Sequence, residues 1–113
     1  MNIAKILITT LLLATSMAWA QDMPPTKTFE VSSNGFRMAR SPQGTVGLKE
    51  CDTCDFHRLR VTARTIYQVN GKPLRFENFL EALENLELHG EFFLNVVRDE
   101  TTGTVSKIFI YSD

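Results

Sequence analysis

The chain has 113 residues, of which 43% are hydrophobic and 22% charged, with two cysteines and a formal net charge of −1. This near balance excludes a general electrostatic attraction to nucleic acid, and the chain has no polybasic segment that would bind an anionic membrane. The length suits one small domain with a modest hydrophobic core.

The first 20 residues follow the three-part pattern of a secretory signal peptide. Lys5 supplies a positive charge, residues 6–14 form an apolar run, and Ala18 and Ala20 place small residues before the expected cut. The apolar run is shorter than the roughly 20 residues of a membrane span. We therefore predict cleavage by signal peptidase after Ala20, export to the periplasm or secretion, and no stable membrane anchor. The mature chain keeps 93 residues, of which 11 are basic and 13 acidic, so its net charge is −2.

Residues 21–27 are polar and contain two prolines, which predicts a flexible leader, and residues 28–113 predict a single small β-rich domain. Short apolar alternations separated by turn residues predict strands in this domain. Before the helix they lie at residues 28–32, 36–39, 45–48, 59–62 and 65–69. Asn70-Gly71 is a strong hairpin-turn dipeptide, and Pro73 predicts that the strand after it is short or at a sheet edge.

One amphipathic helix is predicted at residues 77–88, because its apolar residues recur with helical spacing. The stripe is formed by Phe76, Phe79, Leu80, Leu83 and Leu86. A final hairpin is predicted from residues 91–98 and 104–111. Six to seven strands with one helix indicate a mainly β, α+β fold, either a small OB-like barrel or a curled antiparallel sheet.

Residues 59–111 resemble an uncharacterised family of exported bacterial small β-barrel domains. In that family a strand ending in V-T-x-x-T leads to a V-N-G-K-P turn, a short helical segment and a hairpin with T-G in its loop. The matching residues here are Val61, Thr62, Thr65, residues 69–73, Thr102 and Gly103. The resemblance implies an OB-like barrel and transfers no catalytic residue. The helix of this chain is longer than the family's, and the cysteine pair does not belong to the pattern.

The only chemistry-bearing motif is Cys51-Asp52-Thr53-Cys54, followed by His57. Because exported proteins retain disulfides, the pair predicts a structural bridge that staples a loop between two strands. Thiol–disulfide catalysis is less favoured, since Glu50, Asp52 and Asp55 would raise a thiol pKa and no strand–helix junction follows Cys51. A third interpretation is a Zn or Cu site made by Cys51, Cys54 and His57. Covalent haem is disfavoured, because Asp55 occupies the position that haem attachment requires for His.

Arg58 and Arg60 alternate on one predicted strand and Arg64 follows closely, which makes a candidate anion-binding strip or simply a solvent-facing polar side. The sequence thus predicts a non-enzymatic exported accessory or binding domain with a Cys51–Cys54 disulfide and no cofactor. Its partner would be an unidentified protein or small ligand and not nucleic acid. The alternative is a metal-binding or thiol-redox protein that uses Cys51, Cys54 and His57.

Overall fold

The computed structural model of the protein describes residues 25–112, and the predicted signal peptide at residues 1–20 lies outside this range. The described residues form eight strands and one α-helix, α1 (Phe76–Glu87). The strands are β1 (Thr26–Ser32), β2 (Phe36–Arg37), β3 (Thr45–Leu48), β4 (His57–Arg60), β5 (Ile66–Val69), β6 (Lys72–Leu74), β7 (Phe93–Asp99) and β8 (Val105–Ile110). A short 3-10 turn, Ser33–Gly35, joins β1 to β2, and β1 takes in the last two residues of the predicted leader.

The strands form two sheets, one of five strands in the order β1-β7-β8-β5-β6 and one of three in the order β2-β3-β4. All pairs are antiparallel except β5 with β8, which is parallel. The predicted mainly β class with one helix is confirmed, in the form of curled, mostly antiparallel sheets. The barrel alternative is wrong, because the two sheets do not close on each other. In the described region, β4 meets the five-stranded sheet only through an isolated bridge between Arg60 and Thr104, which is not a strand pair.

The β5–β6 hairpin turns on Asn70 and Gly71, whose φ angles are +53° and +81°. Two successive positive φ angles define a type I′ turn, the geometry that matches the twist of paired strands and that Asn-Gly favours. Pro73 lies in β6, which is only three residues long and is the last strand of its sheet. The predicted hairpin and edge strand are therefore confirmed.

A tight turn at Thr62 and Thr65 separates β4 from β5. The Thr65 amide donates to the Thr62 carbonyl at 3.1 Å, and the Thr62 amide donates to the Thr65 hydroxyl at 2.9 Å. The buried Thr65 hydroxyl also donates to the Val105 carbonyl at 2.7 Å, which ties the turn to β8. The break between these two strands was expected, and counting the short β6 gives eight strands rather than six to seven.

Helix α1 begins and ends one residue earlier than predicted, and it packs through the predicted apolar stripe. Phe79 and Leu83 are buried, and Phe76 and Leu86 pack against the core from its edge. In contrast, all four glutamates of the helix are exposed. Within residues 25–112, no helix is long and apolar enough to cross a membrane.

Both sheets and the helix contribute to one cluster of buried residues. Val46 and Leu48 of the three-stranded sheet are fully buried, as are Leu94 and Val96 of the five-stranded sheet. Because side chains alternate along a strand, burying one face of each sheet leaves the opposite face to solvent. The outer face of the three-stranded sheet carries most of the residues discussed below.

Candidate functional site: the disulfide loop and the arginine face

The Cys51–Cys54 disulfide predicted from sequence is present, with its Cα atoms 5.1 Å apart. It closes a turn in which the Cys54 amide donates to the Cys51 carbonyl at 3.2 Å. The turn lies in the loop between β3 and β4, whose flanking residues Leu48 and His57 are register partners. The bridge thus staples the tip of a hairpin loop, as a structural disulfide would.

The structure brings no metal-ligand set together around this loop. Both sulfurs are bonded to each other, and among residues 25–112 no group of three or more His, Cys, Asp or Glu side chains could hold a metal ion. His57 is exposed at the first position of β4. A metal or thiol-redox role would therefore require the reduced form of the pair, and it stays a hypothesis about that form.

Arg58 and Arg60 share the outer face of β4, on either side of the buried Leu59. Arg64 is placed differently, since it lies in the turn after β4 and its amide donates to the Thr62 hydroxyl at 3.1 Å. The structure thus brings two of the three predicted arginines onto one strand face and leaves the third beyond the end of that strand.

The strand register adds a third arginine from a distant part of the sequence. Arg37 on β2 pairs with Gly47 on β3, and Gly47 pairs with Arg58 on β4. The outer face of this sheet, formed by Arg37, Thr45, Gly47, Arg58 and Arg60, is here called the arginine face. Sequence reasoning missed Arg37, because only the pairing of β2 with β3 shows that it flanks the same glycine as Arg58. A glycine inside a strand was the available signal, since it often marks a close approach by another group.

The ring of Phe56 lies against this glycine. A Cβ atom added to Gly47 would stand 3.4 Å from Cδ1 of Phe56 and 3.6 Å from Cβ of Arg37. The Arg37 guanidinium carbon is 4.3 Å from the centre of the Phe56 ring, and the Lys49 ammonium is 5.1 Å from it. Two cations therefore share one aromatic ring, which stabilises them by cation–π attraction without neutralising their charge.

Carboxylates do not compensate the charge of the arginine face. Of the cationic side chains in residues 25–112, only Arg98 has a carboxylate within 4.0 Å, that of Glu100. Arg37, Arg58 and Arg60 are all exposed. Unpaired guanidinium groups offer planar hydrogen-bond donors that match carboxylate and phosphate oxygens, so this surface is suited to bind an anion.

A depression of about 330 Å³ lies within this face. It is lined by Arg37, Thr45, Val46, Gly47, Phe56 and Arg58. Arg37, Arg58 and the Phe56 ring line it, and the ring lies where a side chain at residue 47 would stand.

Three comparisons with known proteins, by family model, against curated proteins and against solved structures, give no match. The resemblance noted from the sequence therefore stays a prediction, and the interpretation of the arginine face depends on its own geometry.

Proposed function

We propose that this chain is an exported, non-enzymatic binding domain that takes an anionic ligand on the arginine face. The observation that carries the proposal is the row Arg37–Gly47–Arg58, in which two exposed arginines flank a glycine and, in the described residues, neither has a carboxylate partner. Guanidinium groups stay protonated at all physiological pH values, so they recognise anions but do not exchange protons in turnover. This supports an anion-binding role and gives no support to general acid–base catalysis by these residues.

Two features support export. Residues 1–20 carry the pattern of a cleavable signal peptide. The Cys51–Cys54 bridge is of the kind that forms and persists in oxidising compartments outside the cytoplasm. Protein isolated from the exporting cell should therefore begin at Gln21 and have the mass of the oxidised cysteine pair. An intact mass that retains Met1 together with two free thiols would contradict export.

Binding is tested by replacing chloride with sulfate at constant ionic strength while amide NMR signals are recorded. The signals of Arg37, Thr45, Gly47 and Arg58 should shift together and reach saturation. A variant with both Arg37→Gln and Arg58→Gln should lose the saturable shift. The control is a variant with Lys72→Gln and Arg75→Gln, which removes the same charge from exposed positions on β6 and before α1.

The control variant should bind sulfate as the unchanged protein does. Unsaturable shifts spread equally over all cationic residues would indicate general charge screening and would contradict the proposal. Equal losses in the two double variants would contradict it as well, because net charge rather than the arginine face would then set the affinity.

A further inference from the structure

A second depression adjoins the first at the loop that joins β2 to β3. It has a volume of about 510 Å³ and is lined by Arg37, Met38, Arg40, Ser41, Gly44 and Thr45. The two depressions share Arg37 and Thr45, and each has one arginine of its own, Arg58 in the first and Arg40 in the second. Arg37 therefore stands between two places where an anion would meet a pair of guanidinium groups.

Strand geometry sets the approximate scale of the surface that the two depressions cover. Gly47 marks the first depression and Thr45 the boundary with the second, and residues two apart on a strand are separated by about 7 Å. Across the sheet, Arg37 and Arg58 are two strands apart, which separates their Cα atoms by about 10 Å. A tetrahedral oxyanion can receive forked hydrogen bonds from guanidinium groups on two sides across such a gap.

We infer that the arginine face and the adjoining β2–β3 loop bind a compact ligand with linked phosphate groups, two of which occupy the two depressions, with Arg37 shared between them. The inference depends on the proposed function and names its ligand class. Two linked groups bind more tightly than one, because the second phosphate enters its depression at a high effective concentration. Arginine is suited to both places, since its planar fork matches phosphate oxygens.

The surroundings of the face indicate that the ligand is short. Beyond Phe56 the disulfide loop carries the carboxylates of Glu50, Asp52 and Asp55. On another side of this loop a depression of about 310 Å³ is lined by four acidic residues, one neighbouring lysine and other groups. Its acidic residues are Glu30, Glu50, Asp52 and Glu91. A long polyanion that followed the strands past Phe56 would meet these carboxylates and be repelled, whereas a compact ligand stays on the arginines.

The experiment compares orthophosphate with tripolyphosphate by calorimetry at one ionic strength. Tripolyphosphate should bind at least about tenfold more tightly, because it engages both depressions. Arg37→Gln should cause the largest loss of tripolyphosphate affinity, and Arg40→Gln and Arg58→Gln should each lower it about tenfold, the usual size for a lost charged hydrogen bond. Arg75→Gln is the control with the same change of charge, and it should leave the affinity unchanged.

The Gly47→Ala variant tests the shape of the first depression without changing its charge. The added methyl group would make only ordinary van der Waals contacts, at 3.4 Å and 3.6 Å, so the variant should fold, which thermal unfolding checks. It should nevertheless lower tripolyphosphate affinity several-fold, because it narrows the first depression without removing a charge. Unchanged affinity in a folded Gly47→Ala protein would contradict the assigned position of the first phosphate.

The remaining outcomes distinguish the two proposals. Equal affinity for the two probes, with shifts confined to the arginine face, would overturn the two-phosphate inference and leave the proposed function standing. No saturable binding of either probe would overturn both. Tighter binding of a single-stranded oligonucleotide, rising with its length, or of phosphatidic acid vesicles would overturn the assignment of a compact soluble ligand.

Discussion

The two sheets share one core but differ in the partners that their outer faces provide for cationic side chains. On the five-stranded sheet the outer positions of β7 and β8 include Asn95, Val97, Lys107 and Phe109 in adjacent register pairs. The Lys107 ammonium lies 4.8 Å from the centre of the Phe109 ring, so this cation has an aromatic partner of its own. On the three-stranded sheet, Arg37 and Lys49 share the one ring of Phe56.

The comparison shows which sheet has cationic side chains that are free to bind an anion. Cross-strand partners stabilise a sheet when their groups match, and like charges on one face destabilise it. The arginine face has more cations than partners, which is unfavourable for the protein alone and favourable once an anion is bound. On the five-stranded sheet Lys27 and Arg98 also share one ring, that of Phe29, but there Arg98 has a carboxylate partner in Glu100. We therefore expect the smaller sheet to carry the proposed binding surface.

The largest expected effect tests whether the two sheets are one structural unit. Leu48→Ala on the three-stranded sheet and Leu94→Ala on the five-stranded sheet each remove a fully buried side chain. Each should lower the free energy of unfolding by about 2–5 kcal/mol, through lost burial and a residual cavity. Because the buried residues form one cluster, both variants should unfold both sheets in a single transition.

Urea unfolding followed by the amide signals of Val46 and Val96 provides the measurement. The two signals report on different sheets and should disappear at the same urea concentration. Earlier loss of the Val46 signal would show that the smaller sheet unfolds independently. The arginine face would then not belong to the same cooperative unit as the five-stranded sheet.

A smaller effect is expected from removing the bridge with Cys51→Ser and Cys54→Ser together. Closing so short a loop should contribute about 2 kcal/mol, through the restricted entropy of the unfolded chain. The melting temperature should fall by roughly 8–16 °C for a domain of this size. Sulfate affinity should change less than about twofold, because Arg37 and Arg58 lie on strands outside the bridged turn.

Thermal unfolding and sulfate titration of the same samples decide between a structural and a chemical role. The unchanged protein after reduction should behave like the double variant. If the double cysteine variant kept full stability but lost sulfate binding, the thiol-dependent alternative would be favoured. The separation between a stabilising disulfide and a binding arginine face would then not hold.

The sequence was sufficient for the local features of both sheets. Asn70-Gly71 and Pro73 predicted the turn and the edge strand, and the apolar stripe predicted α1 to within one residue. Each depends on chemistry within a few residues, such as the left-handed backbone of the turn or the period of a helix. The same is true of the disulfide, whose cysteines are separated by only three positions.

Pairings between distant segments could not be read from the sequence. The parallel pair of β5 and β8 joins residues about 40 positions apart, and no local pattern specifies it. For the same reason Arg58 and Arg60 were found by their alternation, whereas Arg37 was not, because its place beside Gly47 depends on register between strands. A one-residue slip in that register would have turned Arg37 toward the core.

The smallest expected effect concerns a buried polar group without a partner in the five-stranded sheet. The guanidinium groups of the arginine face are exposed, so water can satisfy their N–H donors. Tyr67 belongs to β5 and is only 5% exposed, packed near the rings of Phe76 and Phe79 at 5.8 Å and 5.0 Å. Its hydroxyl has no hydrogen-bond partner among residues 25–112, and a buried hydroxyl without a partner is destabilising.

Tyr67→Phe should therefore raise the free energy of unfolding by about 1 kcal/mol at neutral pH. Burial also raises the pKa of Tyr67 above its ordinary value of 10.0. The folded state thus favours the neutral phenol, and this contribution to stability is complete below pH 10 and is lost as the pH rises through the folded-state pKa. Urea unfolding at neutral pH and above pH 10 should show a stability difference between Tyr67→Phe and the unchanged protein that grows with pH.

Tyr111→Phe, at a position that is 67% exposed, is the matched control and should change stability little at neutral pH. If Tyr67→Phe is instead destabilising, its hydroxyl has a partner in solution, and the contrast between a hydrated unpaired surface and a buried unpaired group does not hold.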